Sequence, residues 1–146
     1  MRAARWNRPS TVALLAQHGA NVEASDLNGN TALILAAGDQ HVDSVRALIA
    51  CGANVNAASK SGYTALHAAA RWGNEAIVRL LVDARANIDA REIFGRTPWI
   101  AAVHHRKEGL LRGLLEPNRE TEEFLRKLQR DKHPGDVAKH MNMIYQ

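Results

Sequence analysis

A step of 33 residues constrains this chain more than any other feature. Residues 25–57 align with residues 58–90 without a gap and agree at 12 of 33 positions, among them Gly29/Gly62, Thr31/Thr64, Leu33/Leu66, Ala36/Ala69, Leu48/Leu81 and Asn54/Asn87. The same step carries Gly62 to Gly95, Thr64 to Thr97, Ala69 to Ala102 and Leu81 to Leu114. A chain that repeats at a period of this size folds as stacked supersecondary units, none of which can bury its apolar face alone. At an offset of 66, Ala3-Ala4-Arg5-Trp6 falls on Ala69-Ala70-Arg71-Trp72, and Val12, Leu14, Leu15, Ala20 and Asn21 fall on identical residues. The expectation is a partial first unit over residues 1–24 that starts inside a helix, as a piece of a longer array would.

Within a unit the order is turn, helix, turn, helix. Gly29, Gly62 and Gly95 stand where a tight turn needs φ > 0. Two residues later Thr31, Thr64 and Thr97 offer a hydroxyl to an orphan backbone N–H at a helix start, and Pro98 suits the first helical position. Leu66, Ala69 and Ala70 share one helical face, and Ile77, Val78, Leu81 and Val82 form the inner face of a second helix after a break at Gly73-Asn74. Only 5% of residues are aromatic, so these layers rest on alanine and aliphatic contacts between closely spaced helices. Gly19 and Gly52 fit a left-handed residue closing the second helix; Arg85 takes that place in the next unit, at a cost on the order of 1 kcal/mol.

The period fades beyond this point. Glu116-Pro117-Asn118 reads as a helix stop, residues 120–130 as a fresh amphipathic helix with Phe124, Leu125 and Leu128 apolar, and Pro134-Gly135 as a break before a short stripe of Val137, Met141 and Ile144. The expected organisation is therefore a partial unit at 1–24, units at 25–57 and 58–90, a degenerate unit at 91–118, and a C-terminal helical cap and tail at 119–146.

The charge balance weakens a nucleic-acid reading. The net charge is +4, but residues 1–24 hold +2, the three following 33-residue segments hold −2, +1 and 0, and residues 124–146 hold +3. A phosphate backbone needs a continuous basic stripe, and the surplus here is split between the two ends. The single cysteine, Cys51, rules out an intramolecular disulfide and suits a reducing compartment, cytoplasmic or nuclear. The Arg-bearing, acid-free start could serve as a transit peptide, although its alignment with residues 69–72 accounts for it better. No run approaches the roughly 18 apolar residues of a membrane-spanning helix. A phosphate-binding Gly-rich loop, a nucleophile elbow and a zinc-binding His-Glu-x-x-His helix are all missing from the sequence. No enzyme, cofactor, metal or small-molecule substrate is expected.

GlyTyrThrAlaLeuHisAlaAlaAlaArgTrpGlyAsn at 62–74, IleValArgLeuLeuVal at 77–82 and AlaAsnIleAspAla at 86–90 together resemble an ankyrin repeat, whose period is 33 and whose signature is of the Thr-Pro-Leu-His type. The resemblance covers about residues 3–115. It departs from the pattern at Ala32 and Ala65 for Pro, at Ile34 and Ile100 for His, and at Trp99 for Leu. It implies an all-α ankyrin-repeat solenoid of helix-turn-helix repeats with short β-hairpin fingers, and a protein-binding role without catalysis. It also implies where recognition falls, on finger residues beside the turn glycine and on the two residues after the first-helix alanines. Carried onto this sequence, the candidates are Asn30, Lys60, Tyr63, Phe94 and Arg96 on the fingers and Asp39, Arg71, Trp72, His104 and His105 on the helices, with Leu27, Asn28, Ser61, Ile93, Arg5, Trp6 and Gly38 at the remaining positions.

The residue types point the same way. Arg and aromatic side chains are enriched at interface hot spots, and they stand here where the stack's core does not need bulk. The expected partner is another protein or peptide carrying acidic and apolar groups, bound by a monomer. The alternative reading is an adaptor within a larger regulatory or enzymatic assembly, such as ubiquitin-ligase substrate recruitment, that docks through residues 119–146. Trp99 replaces a core Leu and should be buried beneath the helix at 120–130. His67 should be a structural hydrogen-bonding residue, and His104 and His105, about 100° apart around a helix, make a poor chelating pair.

Overall fold

The computed structural model describes residues 1–107 together with Gly109, Glu123, Arg126 and Lys127. The expected helix stop at 116–118, the amphipathic helix at 120–130 with its packing on Trp99 (apart from Glu123, Arg126 and Lys127), and the stripe at 137–144 lie outside the described residues.

Within residues 1–107, seven helices follow in chain order: α1 Arg2–Arg5, α2 Pro9–Gln17, α3 Ala32–Gly38, α4 Val42–Ala50, α5 Ala65–Trp72, α6 Glu75–Asp83 and α7 Pro98–His104. They stack in two layers. Helices α1, α3, α5 and α7 pack in succession in one layer; α2, α4 and α6 form the other, each element touching its neighbours in the stack. The faces that meet are those the sequence marks: Ala36, Ala37, Ala69, Ala70 and Ala102 between first-layer helices, and Val45, Leu48, Ile77, Val78 and Leu81 from the second, all buried. Alanine at the contacts lets helix axes approach, while each buried Leu or Ile contributes about 1.5–3 kcal/mol. Val82 is only partly buried, at the margin of that face.

Each first-layer helix after α1 starts as expected. The hydroxyls of Thr31, Thr64 and Thr97 each accept the backbone N–H three residues on: Thr31 from Ile34 at 3.4 Å, Thr64 from His67 at 3.3 Å, Thr97 from Ile100 at 3.4 Å. The left-handed backbone positions repeat with the sequence. Gly19, Gly52 and Arg85 (φ 67°) close the second-layer helices, and Asn7, Gln40, Gly73 and Arg106 recur at the same step of 33 after the first-layer helices. Only one of those last four is glycine, so composition gave no hint of that series.

The fingers are shorter than the expected hairpins. Among the described residues they hold isolated antiparallel bridges, Ser25 with Thr31 and Ala58 with Thr64. What fixes them is their stacking. The Lys60 N–H donates to the Asn28 carbonyl at 3.0 Å, and the Ile93 N–H to the Ser61 carbonyl at 2.7 Å. Backbone amides thus tie each finger to the next, and the turn glycines are pressed against that seam. A Cβ on Gly29 would lie 2.8 Å from the Lys60 nitrogen, and one on Gly62 would lie 3.0 Å from the Glu92 Cα.

Candidate functional site

A groove of about 260 Å³ opens between the second and third fingers and the ends of α5 and α7, lined by Tyr63, His67, Arg71, Glu92, Arg96, Ala101, His104 and His105. Five of the ten candidate residues therefore meet in one place: Tyr63, Arg71, Arg96, His104 and His105. They are distant in sequence but each lies where a finger or the C-terminal end of a first-layer helix reaches the same side of the stack.

His67 forms the floor and is committed to structure. Its Nδ1 accepts the Thr64 backbone N–H at 3.2 Å and lies 2.8 Å from the Thr64 hydroxyl. Because Nδ1 is an acceptor, the ring proton sits on Nε2, which donates to the Arg96 carbonyl at 2.8 Å. This completes a reciprocal cap on α5 and fastens α5 to the third finger. Burial lowers the His67 pKa, outweighing the hydrogen bond to Arg96 that favours the charged form. Tyr63 stacks on this ring, centroids 5.4 Å apart. Burial raises the Tyr63 pKa, with the Arg71 guanidinium acting against it.

Glu92 was not among the sequence candidates, yet it organises the wall. Its Oε1 accepts the N–H groups of Phe94 (2.9 Å) and Arg96 (3.1 Å), and its Oε2 accepts from Arg96 Nη2 at 2.9 Å. The pair is largely withdrawn from water, with side chains 4% and 15% exposed for Glu92 and Arg96. Burial alone would raise the Glu92 pKa, but the Arg96 side chain and the finger amides together leave it lowered. The only signal in the sequence was positional: Glu92 stands 33 residues beyond Ser59 and 66 beyond Asp26. Both of those also bind finger amides, Asp26 from Asn28 and Asn30 and Ser59 from Tyr63.

Arg71 makes no ion pair among the described residues; its guanidinium lies 5.6 Å from the Trp72 ring centroid. The His104 and His105 rings meet edge to face at 4.8 Å. Burial lowers the pKa of both, His104 with help from Arg96 and Arg71, His105 with help from His104 and then Arg71. Arg96 lies 5.2 Å from the Phe94 ring centroid. Trp72 is 48% and Phe94 50% exposed, so neither serves as core.

Three candidates stand apart from the groove. Lys60 is exposed on the second finger. Asn30 turns its amide back to Asp26 Oδ2 at 3.3 Å. Asp39 pairs with Arg5 at 3.4 Å and lines a separate cleft with Arg2, Arg5 and Trp6. Trp99 is 7% exposed, as a residue in a core Leu position should be, and its Nε1 finds no acceptor among the described residues. No group of three or more metal-ligating side chains occurs among the described residues, nor a helix long and apolar enough to cross a membrane.

Comparison with known families gives one match. The family model described as ankyrin repeats, in three copies, matches residues 1–92 and 59–124. No curated protein matches the chain.

Proposed function

Because the chain belongs to the ankyrin-repeat family, whose members generally serve as protein-protein interaction modules, we propose that it is a non-enzymatic module that holds a partner protein or peptide against the finger side of its stack. The units run over 25–57, 58–90 and 91–118 in this reading, with 1–24 as a partial unit. Recognition centres on Tyr63, Arg71, Trp72, Arg96, His104 and His105, with Phe94 and Lys60 at the finger edge.

One observation carries the proposal. Two half-exposed aromatic rings, Trp72 and Phe94, each lie beside an arginine, Arg71 and Arg96, that lines the groove, and no core packing calls for either ring. Arg and Trp are the residue types that most often carry binding energy, and a rigid stack presents them with little ordering cost. A partner with carboxylates set beside apolar side chains complements this surface.

The test is partner capture from source lysate by wild type and by Arg71→Glu/Trp72→Ala. Both residues are exposed, so circular dichroism and thermal melting should stay close to wild type. Loss of two such contacts should weaken binding by at least about 30-fold, a hot-spot effect of about 2 kcal/mol. Undiminished capture by the double variant would reject the groove, and a partner lost only on truncation at Glu116 would move the function to the C-terminal residues.

A further inference from the structure

Resting on that reading of the face, we infer that one extended segment of the partner protein is gripped at two points, Arg5-Trp6 and Arg71-Trp72, each taking an apolar side chain flanked by acids.

The core of the stack repeats every 33 residues, but the Arg-Trp pair on its surface returns only after 66. Arg5-Trp6 at the end of α1 recurs as Arg71-Trp72 at the end of α5, and the unit between them has Gly38-Asp39 in the same places. The backbones agree as well, since a left-handed residue follows each pair, Asn7 at φ 52° and Gly73 at φ 66°. Asp26 lies as far beyond Arg5 as Glu92 lies beyond Arg71, whereas the middle unit has Ser59 there. Stacking accounts for the shorter step through its buried alanines and leucines. It does not account for the rings, because Trp6 is 75% and Trp72 48% exposed. Each pair stands at a cleft of its own. Arg5 and Trp6 line one of about 550 Å³ with Arg2 and Asp39, and Arg71 lines the groove described above.

Both arginines are held in place, Arg5 by Asp39 at 3.4 Å and Arg71 by a hydrogen bond with Tyr63. They fix charge beside the rings, and the rings are the contact surface. Arg2 shares the first cleft, and the Lys107 side chain lies against Gly73, the residue after Trp72. Arg5 with Asp39 and Arg96 with Glu92 cancel as ion pairs, so Arg2 at one point and Arg71 with Lys107 at the other leave both positive. An apolar side chain on each ring, with carboxylates beside it, complements that pattern.

The spacing selects an extended segment. Helices α1, α3 and α5 are successive neighbours in the first layer. Packed helices lie about 8–10 Å apart, which sets the two points about 16–20 Å apart. An extended chain rises about 3.3 Å per residue and covers that distance in about five or six residues. Gly38 has no side chain and Asp39 is drawn to Arg5, so the middle unit raises no ring in the way of such a chain. Once one anchor is seated, the second binds within the same complex.

The probes are acetyl-Glu-Phe-Glu-amide, two Glu-Phe-Glu anchors joined directly, and two joined by six Gly-Ser linker residues. The phenylalanines of the linked probe lie about 15–18 Å apart on average, and those of the direct one reach no further than about 10 Å. Each is titrated into the ¹⁵N-labelled full chain while the indole N–H resonances are followed by NMR. The buried Trp99 reports that the fold is intact. The linked probe should shift Trp6 and Trp72 with one midpoint, about tenfold or more tighter than the single anchor, and the direct probe should gain about twofold at most. Trp6→Ala and Trp72→Ala should each return the linked probe to single-anchor affinity, with the Trp99 resonance in place. Lysine for every glutamate in the probe should abolish saturable shifts, and equal affinity would overturn the acidic assignment. Saturable shifts at Trp72 alone, or a linked probe no tighter than a single anchor, would overturn the two-point grip and leave the groove reading standing. Absence of saturable shifts at Trp72 would reject the grip and the groove together.

Discussion

The finger seam can be weighed by adding one methyl group at each of three equivalent turns. Gly29, Gly62 and Gly95 share nearly the same backbone, with φ of 79°, 77° and 79°. Alanine in that region costs about 1–2 kcal/mol in strain, offset by about 0.4–1 kcal/mol because alanine restricts the unfolded chain. That leaves a net loss of roughly 1 kcal/mol common to all three. The neighbours then separate them. At Gly29 the new Cβ meets the Lys60 nitrogen at 2.8 Å and at Gly62 the Glu92 Cα at 3.0 Å, both backbone atoms that cannot turn aside. At Gly95 nothing among the described residues lies within 4 Å. Relieving the first two clashes must stretch the Asn28–Lys60 and Ser61–Ile93 bonds, and overpacking of this kind costs a further 1–3 kcal/mol or so. Gly29→Ala and Gly62→Ala should therefore lose about 2–4 kcal/mol and Gly95→Ala about 1 kcal/mol in urea unfolding followed by circular dichroism. Equal midpoints for Gly62→Ala and Gly95→Ala would refute the idea that the fingers are locked by contact with one another.

Two further outcomes follow from the interior. Burial sets the His67 pKa in the folded chain below its unfolded value, so the unfolded chain binds more protons on acidification; stability should be full above about pH 6.5 and decline as pH falls below it toward the lowered folded value. His67→Gln should flatten that part of a stability-versus-pH curve, and an unchanged slope would show that His67 is not its source. Arg85→Gly should raise the melting temperature, since glycine removes about 1 kcal/mol of left-handed strain at φ 67°; an unchanged or lower value would mean that the arginine side chain offsets its own backbone cost.

The second-layer caps were legible at Gly19, Gly52 and even Arg85, because the period named their places. The parallel series at Asn7, Gln40, Gly73 and Arg106 was not, because three of its four members lack the residue type that marks such a backbone. The finger residues Tyr63 and Arg96 and the helix-end residues Arg71, His104 and His105 were on the candidate list from the family pattern. Their convergence on one groove was not in the sequence, nor was the removal of Asn30 and Asp39 to other partners.

What the sequence determined by itself is the one-dimensional order of this protein. A 33-residue period, a threonine before each first-layer helix after α1 and alanines along its face dictate stacked helix pairs, because each unit's contacts repeat with its residues. What only the tertiary structure decided is which charges remain available. Glu92 and Arg96 lie four residues apart on one finger, and the sequence alone does not say that their side chains neutralise each other while Arg71, from the previous unit, is left facing the groove. Pairing depends on distance through space between adjacent units, and a repeat fixes that distance only once the fingers are stacked.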